Sequence, residues 1–417
     1  MISALYAALS GLNSNGASIG VSANNVSNLA TAGFKGSRAN FADTFNQSLN
    51  NVNASQVGSG SMVNSLQRQF TQGAIVSTGN PLDLAIGGNG FFIVKSPTQG
   101  LSYTRAGNFQ VDSQGYVTTP EGGRLQGYAP GSTTPGDLNV GNLTTSAGAT
   151  KNVALSMNLN SHSPVNSSPF AIVNGQPANY DYSATTTVYD SHGGAHDVTA
   201  YFSRTGTNTW DVNYASNSGP NSSMVQSAGK QTLTFDSIGT LTGNTAAPIR
   251  FDFGGGTAGP QDITFEYGNS GKTGNQSSGT TQLAADSQVT GATQDGTPPG
   301  NAKSVSIGQD GSITATFDNG QTTALGKVAL ADFANPGGLT SVGNNSFVQS
   351  ASSGEPLVNQ ANSGGTGNIL SGSLETSNVD LADQLVSMNI SKTDFTANLA
   401  TVRVAYEMMD EVLKLKS

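Results

Sequence analysis

The chain has 417 residues, of which 10% are charged and 35% hydrophobic, and its formal net charge is −9. Because nucleic acids and anionic membranes are bound through clustered Lys and Arg, this charge argues against both as partners. The sequence contains no Cys, which excludes disulfides, thiolate zinc sites and cysteine nucleophiles. Its 53 Gly and many small polar residues favour short strands and tight turns, so we expect an all-β middle.

The amino-terminal segment predicts a long helix. Its apolar and small residues recur at alternating steps of three and four, as in a coiled-coil heptad, at Ile2, Leu5, Leu9, Leu12, Gly16, Ile19, Ala23 and Val26. The first Pro is Pro81, so no proline interrupts this pattern. Gly11, Gly16 and Gly20 each weaken a helix by about 0.5–1 kcal/mol relative to Ala. We therefore expect this segment to be largely disordered in the monomer and to become helical when it packs against other helices.

The same segment argues against a secretory signal peptide. No Lys or Arg precedes Lys35, and a continuous apolar core is missing, whereas a signal peptide needs both. Nor does any stretch of the sequence approach the roughly 18 apolar residues that cross a bilayer. We therefore expect no membrane insertion, and export by another route if the protein is exported.

Residues 23–35 predict the end of this helix and a turn. They read Ala-Asn-Asn-Val-Ser-Asn-Leu-Ala-Thr-Ala-Gly-Phe-Lys. Asn and Ser side chains hydrogen-bond nearby backbone, and Gly33 can adopt dihedral angles closed to other residues.

Short strands and turns are predicted in the next part of the chain and again beyond its middle. Leu84 to Ile86 and Phe91 to Val94 flank Gly-Gly-Asn-Gly at residues 87–90, and we interpret them as a hairpin. Alternating apolar residues on both sides of Asp310-Gly311 predict a second hairpin, and Asn319-Gly320 predicts the following turn.

A further strand-rich block lies between two polar, turn-rich stretches, residues 131–151 and 268–302. Its predicted strands are Thr185 to Tyr189, Val198 to Phe202 and Trp210 to Tyr214. We interpret this block as the outermost domain.

The carboxyl-terminal segment predicts a second long helix. The alternation of three and four holds for Leu381, Leu385, Met388, Lys392, Phe395, Leu399, Val402, Tyr406, Met409 and Leu413, with Lys392 as the single polar interruption. Ser377 or Asn378 is the predicted N-cap, with Asp380 in the first turn. Both helices should span about 25 to 35 residues, a length typical of coiled-coil packing. Spacing alone leaves two interpretations open, a helix pair that closes a monomer and helices that pack in a polymer.

These elements predict a mostly β chain with α-helical termini. Because the two ends should pair, the chain leaves them along one path and returns along another. The predicted fold class is therefore nested, discontinuous β domains carried on a paired, coiled-coil-like helical domain of both termini. The predicted domains are residues 1–30 plus 374–417 (helical), 31–72 plus 360–373 (connecting), 73–146 plus 285–359 (inner β) and 147–284 (outer β).

Candidate catalytic and metal-binding residues are few. His192 and His196, with Asp190 and Asp197 nearby, have the side chains of a metal site, but this spacing brings the two rings together only on a helix. Gly193-Gly194 instead predicts a hairpin turn that separates the rings, which favours a structural role. The glycine runs lack the order of phosphate-binding loops, and no nucleophile motif is present. The sequence therefore predicts no enzyme, no cofactor and no metal site.

The two terminal motifs together are similar to a known family. Residues 23–35 resemble the amino-terminal signature of the bacterial flagellar axial proteins, the family of rod, hook and hook-associated subunits. Residues 372–381, Gly-Ser-Leu-Glu-Thr-Ser-Asn-Val-Asp-Leu, resemble the signature that opens the last helix of that family. The signature residues are Asn24, Asn25, Asn28, Gly33, Phe34, Lys35, Leu374, Glu375, Ser377, Asn378, Val379 and Asp380.

The middle of the chain is similar to the hook subunits of this family. The similar segments are residues 79–86, 90–94, 103–109, 188–197 and 325–336. Rod subunits are typically shorter and largely lack the outer block, so its presence favours hook over rod. The residues around Tyr406 and Met408-Met409-Asp410 depart from the pattern of the family.

The resemblance implies a self-assembling subunit of the extracellular flagellar hook, a flexible curved tube that passes motor torque from rod to filament. The implied partners are further copies of this chain, the distal rod protein, the hook cap, the hook-associated junction protein and the flagellar type III export apparatus. Export without a cleaved signal peptide is also implied. The expected assembly residues are Ile2, Leu5, Leu9, Leu12, Ile19, Val26, Leu381, Leu385, Met388, Phe395, Leu399, Val402, Tyr406, Met409 and Leu413. Another axial protein is the nearest alternative, and a β-rich surface adhesin or carbohydrate-binding module is the alternative from a different class.

Overall fold

The computed structural model describes residues 2–44, 58–97, 100–141, 143–216, 225–245, 247–253, 259–268 and 279–414. Within these ranges the chain is mostly β, with one long helix near each end, which confirms the predicted fold class. Helix α1 spans Ile2–Ser27 and helix α2 spans Leu381–Lys414, and a short 3-10 helix spans Pro336–Gly338.

The strands are mostly short and follow one another closely along the chain. The first sixteen are β1 (Ser37–Asp43), β2 (Ser61–Arg68), β3 (Ile75–Ser77), β4 (Leu84–Gly87), β5 (Phe91–Ser96), β6 (Gly100–Thr104), β7 (Gln110–Val111), β8 (Val117–Thr118), β9 (Arg124–Tyr128), β10 (Gly136–Asp137), β11 (Thr144–Thr145), β12 (Asn152–Asn160), β13 (Ala171–Val173), β14 (Gln176–Ala178), β15 (Tyr182–Tyr189) and β16 (Ala195–Gly206). The others are β17 (Thr209–Ser216), β18 (Val225–Phe235), β19 (Leu241–Asn244), β20 (Ile249–Phe251), β21 (Gln261–Glu266), β22 (Thr281–Leu283), β23 (Gln288–Gln294), β24 (Gly300–Ile307), β25 (Ser312–Phe317), β26 (Thr322–Asp332), β27 (Thr340–Gly343), β28 (Ser346–Val348), β29 (Leu357–Gln360), β30 (Asn368–Ser371) and β31 (Ser373–Glu375).

The chain divides into two compact units. The first unit comprises residues 1–142, 304–316 and 322–417, and the second comprises residues 143–303 and 317–321. The chain therefore leaves the first unit, forms the second and returns, as a nested arrangement requires. The finer division into four domains stays a prediction.

The second unit is built on one sheet with the order β15-β16-β17-β18-β20-β21-β12-β22, with β19 paired to β18 and β23 paired to β12. The predicted strands at Thr185 to Tyr189, Val198 to Phe202 and Trp210 to Tyr214 are confirmed as parts of β15, β16 and β17. Phe202 and Trp210 lie fully buried in its core. Alternating apolar side chains along these strands supply that core, as expected for antiparallel strands with one buried face.

The first unit contains a sheet with the order β24-β25-β26-β9-β5-β6-β28-β27. Successive residues of β5 belong to two different cores, Phe92 and Val94 to one and Phe91 and Ile93 to the other. Because side chains alternate between the two faces of a strand, both faces of β5 are covered. This explains the uninterrupted apolar run in the sequence.

The hairpin predicted between Leu84 and Val94 is wrong. Strand β4 pairs with β30, where Leu84 lies opposite Ser371, and β5 pairs with β6, β9 and β26. Gly88 and Gly90 both have a φ of 114°, so the loop sends the chain to a different partner strand. The two predicted later turns are confirmed, since they join β24 to β25 and β25 to β26.

Helix α1 ends where the sequence predicts. The Asn28 side chain donates to the Asn24 carbonyl at 3.0 Å, and the chain then turns through Gly33, whose φ is 67°. A Cβ at Gly33 would lie 2.4 Å from the backbone nitrogen of Ala106, so glycine alone fits this turn.

The N-cap predicted for α2 at Ser377 or Asn378 is wrong. The helix begins at Leu381, and the Asp380 carboxylate accepts a hydrogen bond from the N–H of Ala382 at 2.7 Å. Asp380 is therefore the cap. Asn378 instead bonds the strand that leaves α1, a role that its local sequence does not show.

Candidate assembly site at the paired termini

The two chain ends meet at a buried ion cluster formed by Lys35, Arg105 and Glu375. Glu375 lies on β31, which pairs with β3, and Lys35 follows the turn after α1. The Glu375 carboxylate accepts hydrogen bonds from Lys35 Nζ at 2.6 Å, from Arg105 Nη1 at 3.2 Å and from the backbone N–H of Gly73 at 2.8 Å. The side chains of Lys35 and Glu375 are fully buried and that of Arg105 is 6% exposed.

This ion cluster holds two cations and one carboxylate away from water. Burial lowers the pKa of Lys35 and of Arg105, and the nearby Glu375 carboxylate opposes that shift. Lys35 Nζ also donates to the Thr71 carbonyl at 2.8 Å, and Arg105 Nη2 donates to the Gly88 carbonyl at 2.8 Å. Because a buried charge without a partner is strongly destabilising, the two cations depend on the single carboxylate. Glu375 therefore ties the segment after α1 and the segment before α2 to the β part of the first unit.

Two asparagines of the signature hold the strand that leaves α1. Asn25 Nδ2 donates to the Ser37 carbonyl at 2.8 Å, and Asn25 Oδ1 accepts from the Ser37 N–H at 2.9 Å. Asn378 Oδ1 accepts from the N–H of Gly36 at 2.8 Å, and Asn378 Nδ2 donates to the Gln69 carbonyl at 2.8 Å. An amide side chain offers a donor and an acceptor together, so each one substitutes for a backbone partner. Both helices are thereby attached to neighbouring residues of one segment.

The remaining signature residues support this junction from nearby. The Gly33 N–H donates to the Glu375 carbonyl at 2.8 Å, and the Phe34 side chain is buried. Asn24 and Asn28 lie at the helix end and bond locally. The structure thus brings the amino-terminal and carboxyl-terminal signatures together. The other signature residues lie close to Glu375 along the chain: Leu374, Ser377, Val379 and Asp380.

Helix α2 faces α1 along a heptad stripe that is partly polar. Its buried or half-buried residues alternate at steps of four and three: Gln384, Met388, Ser391, Phe395, Asn398, Val402, Ala405 and Met409. Ser391 Oγ lies 2.9 Å from Ser18 Oγ, and Asn25 Nδ2 donates to Gln384 Oε1 at 3.0 Å. The predicted pairing of the two ends is confirmed. Only half of this stripe belongs to the expected assembly residues, namely Met388, Phe395, Val402 and Met409.

The other expected assembly residues of α2 are exposed. Their exposed fractions are 46% for Leu381, 51% for Leu385, 46% for Leu399, 59% for Tyr406 and 63% for Leu413. Further large apolar side chains of α2 are also exposed: Val386, Ile390, Val404, Met408 and Val412. Pairing with α1 therefore leaves much of the apolar surface of α2 in contact with water.

Helix α1 carries no charged residue along its 26 residues. Leu9 is exposed, and half-buried positions are Leu5, Leu12, Ile19 and Val26. The side chain of Ile2 lies outside the described part of the chain. A surface helix without charges is unusual, because charged residues normally cover the solvent face.

Sequence reasoning missed Arg105 and the polar residues of the helix seam. Arg105 lies 270 positions from Glu375, and no local pattern connects the two residues. The polar residues of α2 that face α1 do recur in the sequence at every seventh position, at Gln384, Ser391 and Asn398. The apolar residues of the same segment form a more obvious heptad pattern, which hides this polar one.

The predicted hairpin turn joins β15 to β16, with His192 in the turn and His196 on β16. His196 Nε2 lies 2.8 Å from Asp190 Oδ2, and its ring stacks on Phe253 with centroids 4.3 Å apart. The Asp190 carboxylate also accepts the backbone N–H of His192 at 2.8 Å. Across the described ranges, no group of three or more His, Asp or Glu has the geometry of a metal site.

Neither described helix is long and apolar enough to cross a membrane.

Three protein-family models match this chain. They are Flagellar basal body protein FlaE D2 domain over residues 158–297, Flagellar hook protein FlgE/F/G D1 domain over residues 85–160, and Flagellar basal body rod FlgEFG protein C-terminal over residues 370–415. With paired terminal helices that carry a nested β unit, these matches define the class of flagellar rod and hook proteins.

Similarity over the full length narrows this class. The chain is 33% identical over 418 residues to Flagellar hook protein FlgE of Escherichia coli, covering 98% of this chain and 99% of that protein. It is 32% identical over 459 residues to Flagellar hook protein FlgE of Borreliella burgdorferi, covering 100% of both. The crystal structure of Helicobacter pylori flagellar hook protein FlgE2 shares the fold, with a TM-score of 0.50 and 18% identity over 72% of this chain and 100% of that chain. The chain belongs to the flagellar hook protein family and is a structural subunit of the flagellar hook.

Proposed function

We propose that this chain polymerises through its terminal helices into a flexible, curved tube that transmits motor torque from the rod to the filament. The observation that carries the proposal is the row of large exposed apolar side chains on α2, beside an α1 that has no charge. Exposed apolar patches of this kind mark surfaces that other proteins cover. Further copies of the chain offer helices of the same kind, so polymerisation buries these faces.

Torque needs a firm connection between the helices and the β units. The buried cluster of Lys35, Arg105 and Glu375 supplies it, because displacing either chain end would separate buried charges. The outer β domain, residues 147–284, makes contacts that slide as the tube bends, since its surface is rich in small polar residues. The division into helical, connecting, inner β and outer β domains is part of this proposal.

The same proposal covers partners and export. The chain contacts the distal rod protein at one end of the tube and the hook-associated junction protein at the other, and it is added beneath the hook cap. It reaches the growing end through the flagellar type III export apparatus without a cleaved signal peptide. Its role is mechanical, without catalytic activity, in keeping with a family of structural proteins.

Substitutions on the exposed face of α2 test polymerisation directly. Leu385→Asp with Leu399→Asp should abolish polymer formation in sedimentation assays and hooks in electron micrographs, because charges cannot be buried there without partners. Leu385→Met with Leu399→Met keeps the face apolar and should polymerise normally. Helix content by circular dichroism should be equal in both soluble variants. Normal hooks built from the Asp variant would refute the role of this face.

Electron microscopy of cells that lack this chain tests its place in the flagellum. We expect basal bodies with complete rods and no hooks. Truncated rods, or hooks that lack only filaments, would assign the chain to another axial position.

Cross-links between outer domains test the sliding contacts. Because the chain has no Cys, paired cysteines introduced on neighbouring outer domains are the only ones present. Oxidation should yield stiff hooks and impaired swimming. If completely cross-linked hooks still bent freely, bending would not depend on sliding between outer domains, and this part of the proposal would be wrong.

A further inference from the structure

We propose that Asn174 is a site of spontaneous deamidation on the surface of the second unit. The sequence contains three Asn-Gly pairs, at residues 89–90, 174–175 and 319–320. Asparagine is thermolabile, and a following glycine offers a backbone nitrogen that no side chain shields. All three pairs therefore have the local sequence for this reaction, and the folded structure decides which of them reacts.

The reaction needs only water as a co-reactant. The backbone nitrogen of Gly175 attacks Cγ of Asn174, the Cγ–Nδ2 bond breaks, and ammonia leaves with the proton of the Gly175 N–H. Water then opens the resulting five-membered succinimide ring at either of its two carbonyl carbons, which yields aspartate or isoaspartate. The side-chain amide must therefore be free to approach the next backbone nitrogen.

The Asn174 amide and the Gly175 nitrogen both meet this requirement. Asn174 and Gly175 form the two-residue turn between β13 and β14, with φ of 53° and 74°, and both residues are exposed. The pair that closes the turn is Val173 with Gln176, so the Gly175 N–H contributes no bond to the ladder. Within the part of the chain that the structure describes, no residue hydrogen-bonds the Asn174 side chain. Reaching the reactive geometry therefore costs no side-chain hydrogen bond.

Asn319 is followed by the same two residues but lies in the opposite environment. Gly and Gln follow both asparagines. Asn319 Nδ2 donates to the Pro298 carbonyl at 2.8 Å, and Asn319 Oδ1 accepts from the N–H of Gln321 at 3.0 Å. The N–H of Gly320, the attacking group at this site, donates to the Phe317 carbonyl at 3.1 Å. Because these bonds must break before the ring can form, this site reacts only from a locally opened state.

The third pair is covered at the attacking nitrogen. Asn89 is exposed, but Gly90 is buried. The Asn89 carbonyl accepts a hydrogen bond from the N–H of Gly367 at 2.7 Å, and a Cβ at Gly90 would lie 3.6 Å from the Ala331 carbonyl oxygen. Rotation of this peptide would break the bond to Gly367, so Asn89 is also protected.

Deamidation at Asn174 changes the hairpin of β13 and β14. Isoaspartate routes the chain through the former side chain and adds a backbone atom to a two-residue turn, whose type and length set the register of a hairpin. Ile172 of β13 packs against the small core of Phe170, Tyr201 and Ala215. A changed register would withdraw Ile172 from that core. The modification therefore loosens the hairpin and adds a negative charge to its tip, whether or not the chain polymerises.

Peptide mapping of the aged soluble subunit tests the proposal. The full-length chain is incubated in mildly alkaline buffer made with heavy-oxygen water, digested at acidic pH and analysed by mass spectrometry. Opening of the succinimide introduces a heavy oxygen, so the label marks deamidation at each asparagine separately. Asn319 is the matched control within the same molecule. A parallel incubation in concentrated urea exposes both sites equally.

We expect labelling at Asn174 to be at least about tenfold faster than at Asn319 in the folded subunit, because even a modest opening free energy slows the protected site by that factor. In urea the two rates should become similar, since the same residues follow both asparagines. Equal rates in the folded subunit would overturn the proposal. A difference that persists in urea would also overturn it, because the local sequence would then explain the difference.

Amide hydrogen exchange in β13 tests the effect on the hairpin. Exchange should accelerate as the isoaspartate fraction grows during incubation. Asn174→Gly is the control, because glycine fits this turn and carries no amide to lose, so its exchange should not change with age. Exchange that stays constant in the deamidated chain would refute the changed register.

Discussion

The second unit and the terminal helix pair differ in where their apolar side chains lie. In the second unit Phe202, Trp210 and Tyr214 are completely buried. In α2 the side chains of Leu385 and Tyr406 are more than half exposed, although they are equally apolar in character. The second unit is therefore stabilised by its own core. The helix pair instead leaves large apolar side chains exposed, and the proposed polymer would cover them with other copies of the chain.

The largest expected effect concerns the core of the second unit. Phe202→Ala should lower the free energy of unfolding of this unit by about 3–5 kcal/mol, because a cavity replaces a buried ring. Urea unfolding followed by the fluorescence of Trp210, the single Trp of the chain, measures this change. Ile238→Ala is the control, because that side chain is 77% exposed and its loss should matter by less than about 0.5 kcal/mol. Similar losses in both variants would contradict the comparison.

The next effect concerns the junction between the two helices and the β strands of the first unit. Glu375→Gln should weaken the attachment of both helices by about 3 kcal/mol, because two buried cations lose their carboxylate. Faster amide hydrogen exchange in α1 and α2, with an unchanged Trp210 transition, would show this.

Lys35→Met is the matched control for that prediction. It leaves Arg105 and Glu375 as a neutral pair, so exchange in the helices should rise much less than in Glu375→Gln. Equal effects of the two variants would show that the carboxylate is not the central member of the cluster.

A smaller effect concerns the glycines of α1. Gly16→Ala with Gly20→Ala should stabilise the helix by about 1–2 kcal/mol in total, since no atom lies within 4 Å of either added Cβ. Circular dichroism of the soluble subunit should show increased helix content. This sharpens the expectation that the free termini are largely disordered, because a helix already complete in the monomer would show no increase.

The smallest effect concerns pH and the second unit. The hydroxyls of Tyr214 and Tyr267 lie 2.9 Å apart in its core, and burial raises the pKa of both above the ordinary 10.0. The unfolded chain releases these protons near pH 10 while the folded unit keeps them, so stability falls as pH rises above about 10. Tyr267→Phe removes one of the two groups, and unfolding at pH 8 and pH 11 should then differ less. An unchanged pH dependence in this variant would contradict the assignment.

Much of the fold follows from local pattern. Alternating apolar residues predict β15, β16 and β17, and the three-four spacing predicts both helices and their pairing. The hairpin between Leu84 and Val94 could not be rejected locally, because β4 finds its partner almost 300 residues later, at Asn368–Ser371. Pairing over such distances leaves no trace in a short window of sequence.

The candidate site could be predicted only in part, because its contacts also join residues that are far apart in the sequence. Leu385 and Met388 both fit the heptad spacing, but Met388 is half-buried and Leu385 is exposed. Which of the two is covered depends on the position of α1, and the spacing does not give that position. Lys35 and Glu375 were found through the resemblance of both signatures, whereas their contact needs the folded chain. Arg105 was found only through its bond to Glu375.

The central claim is that the exposed apolar face of α2 becomes buried between copies of the chain. Leu385→Cys and Leu399→Cys, each the only cysteine of its chain, measure this through the rate of maleimide labelling before and after polymerisation. Ala200→Cys, buried in the core of the second unit, is the control that should react slowly in both states. We predict fast labelling of positions 385 and 399 in the subunit and strong protection in the polymer. Equal labelling in subunit and polymer would contradict the account.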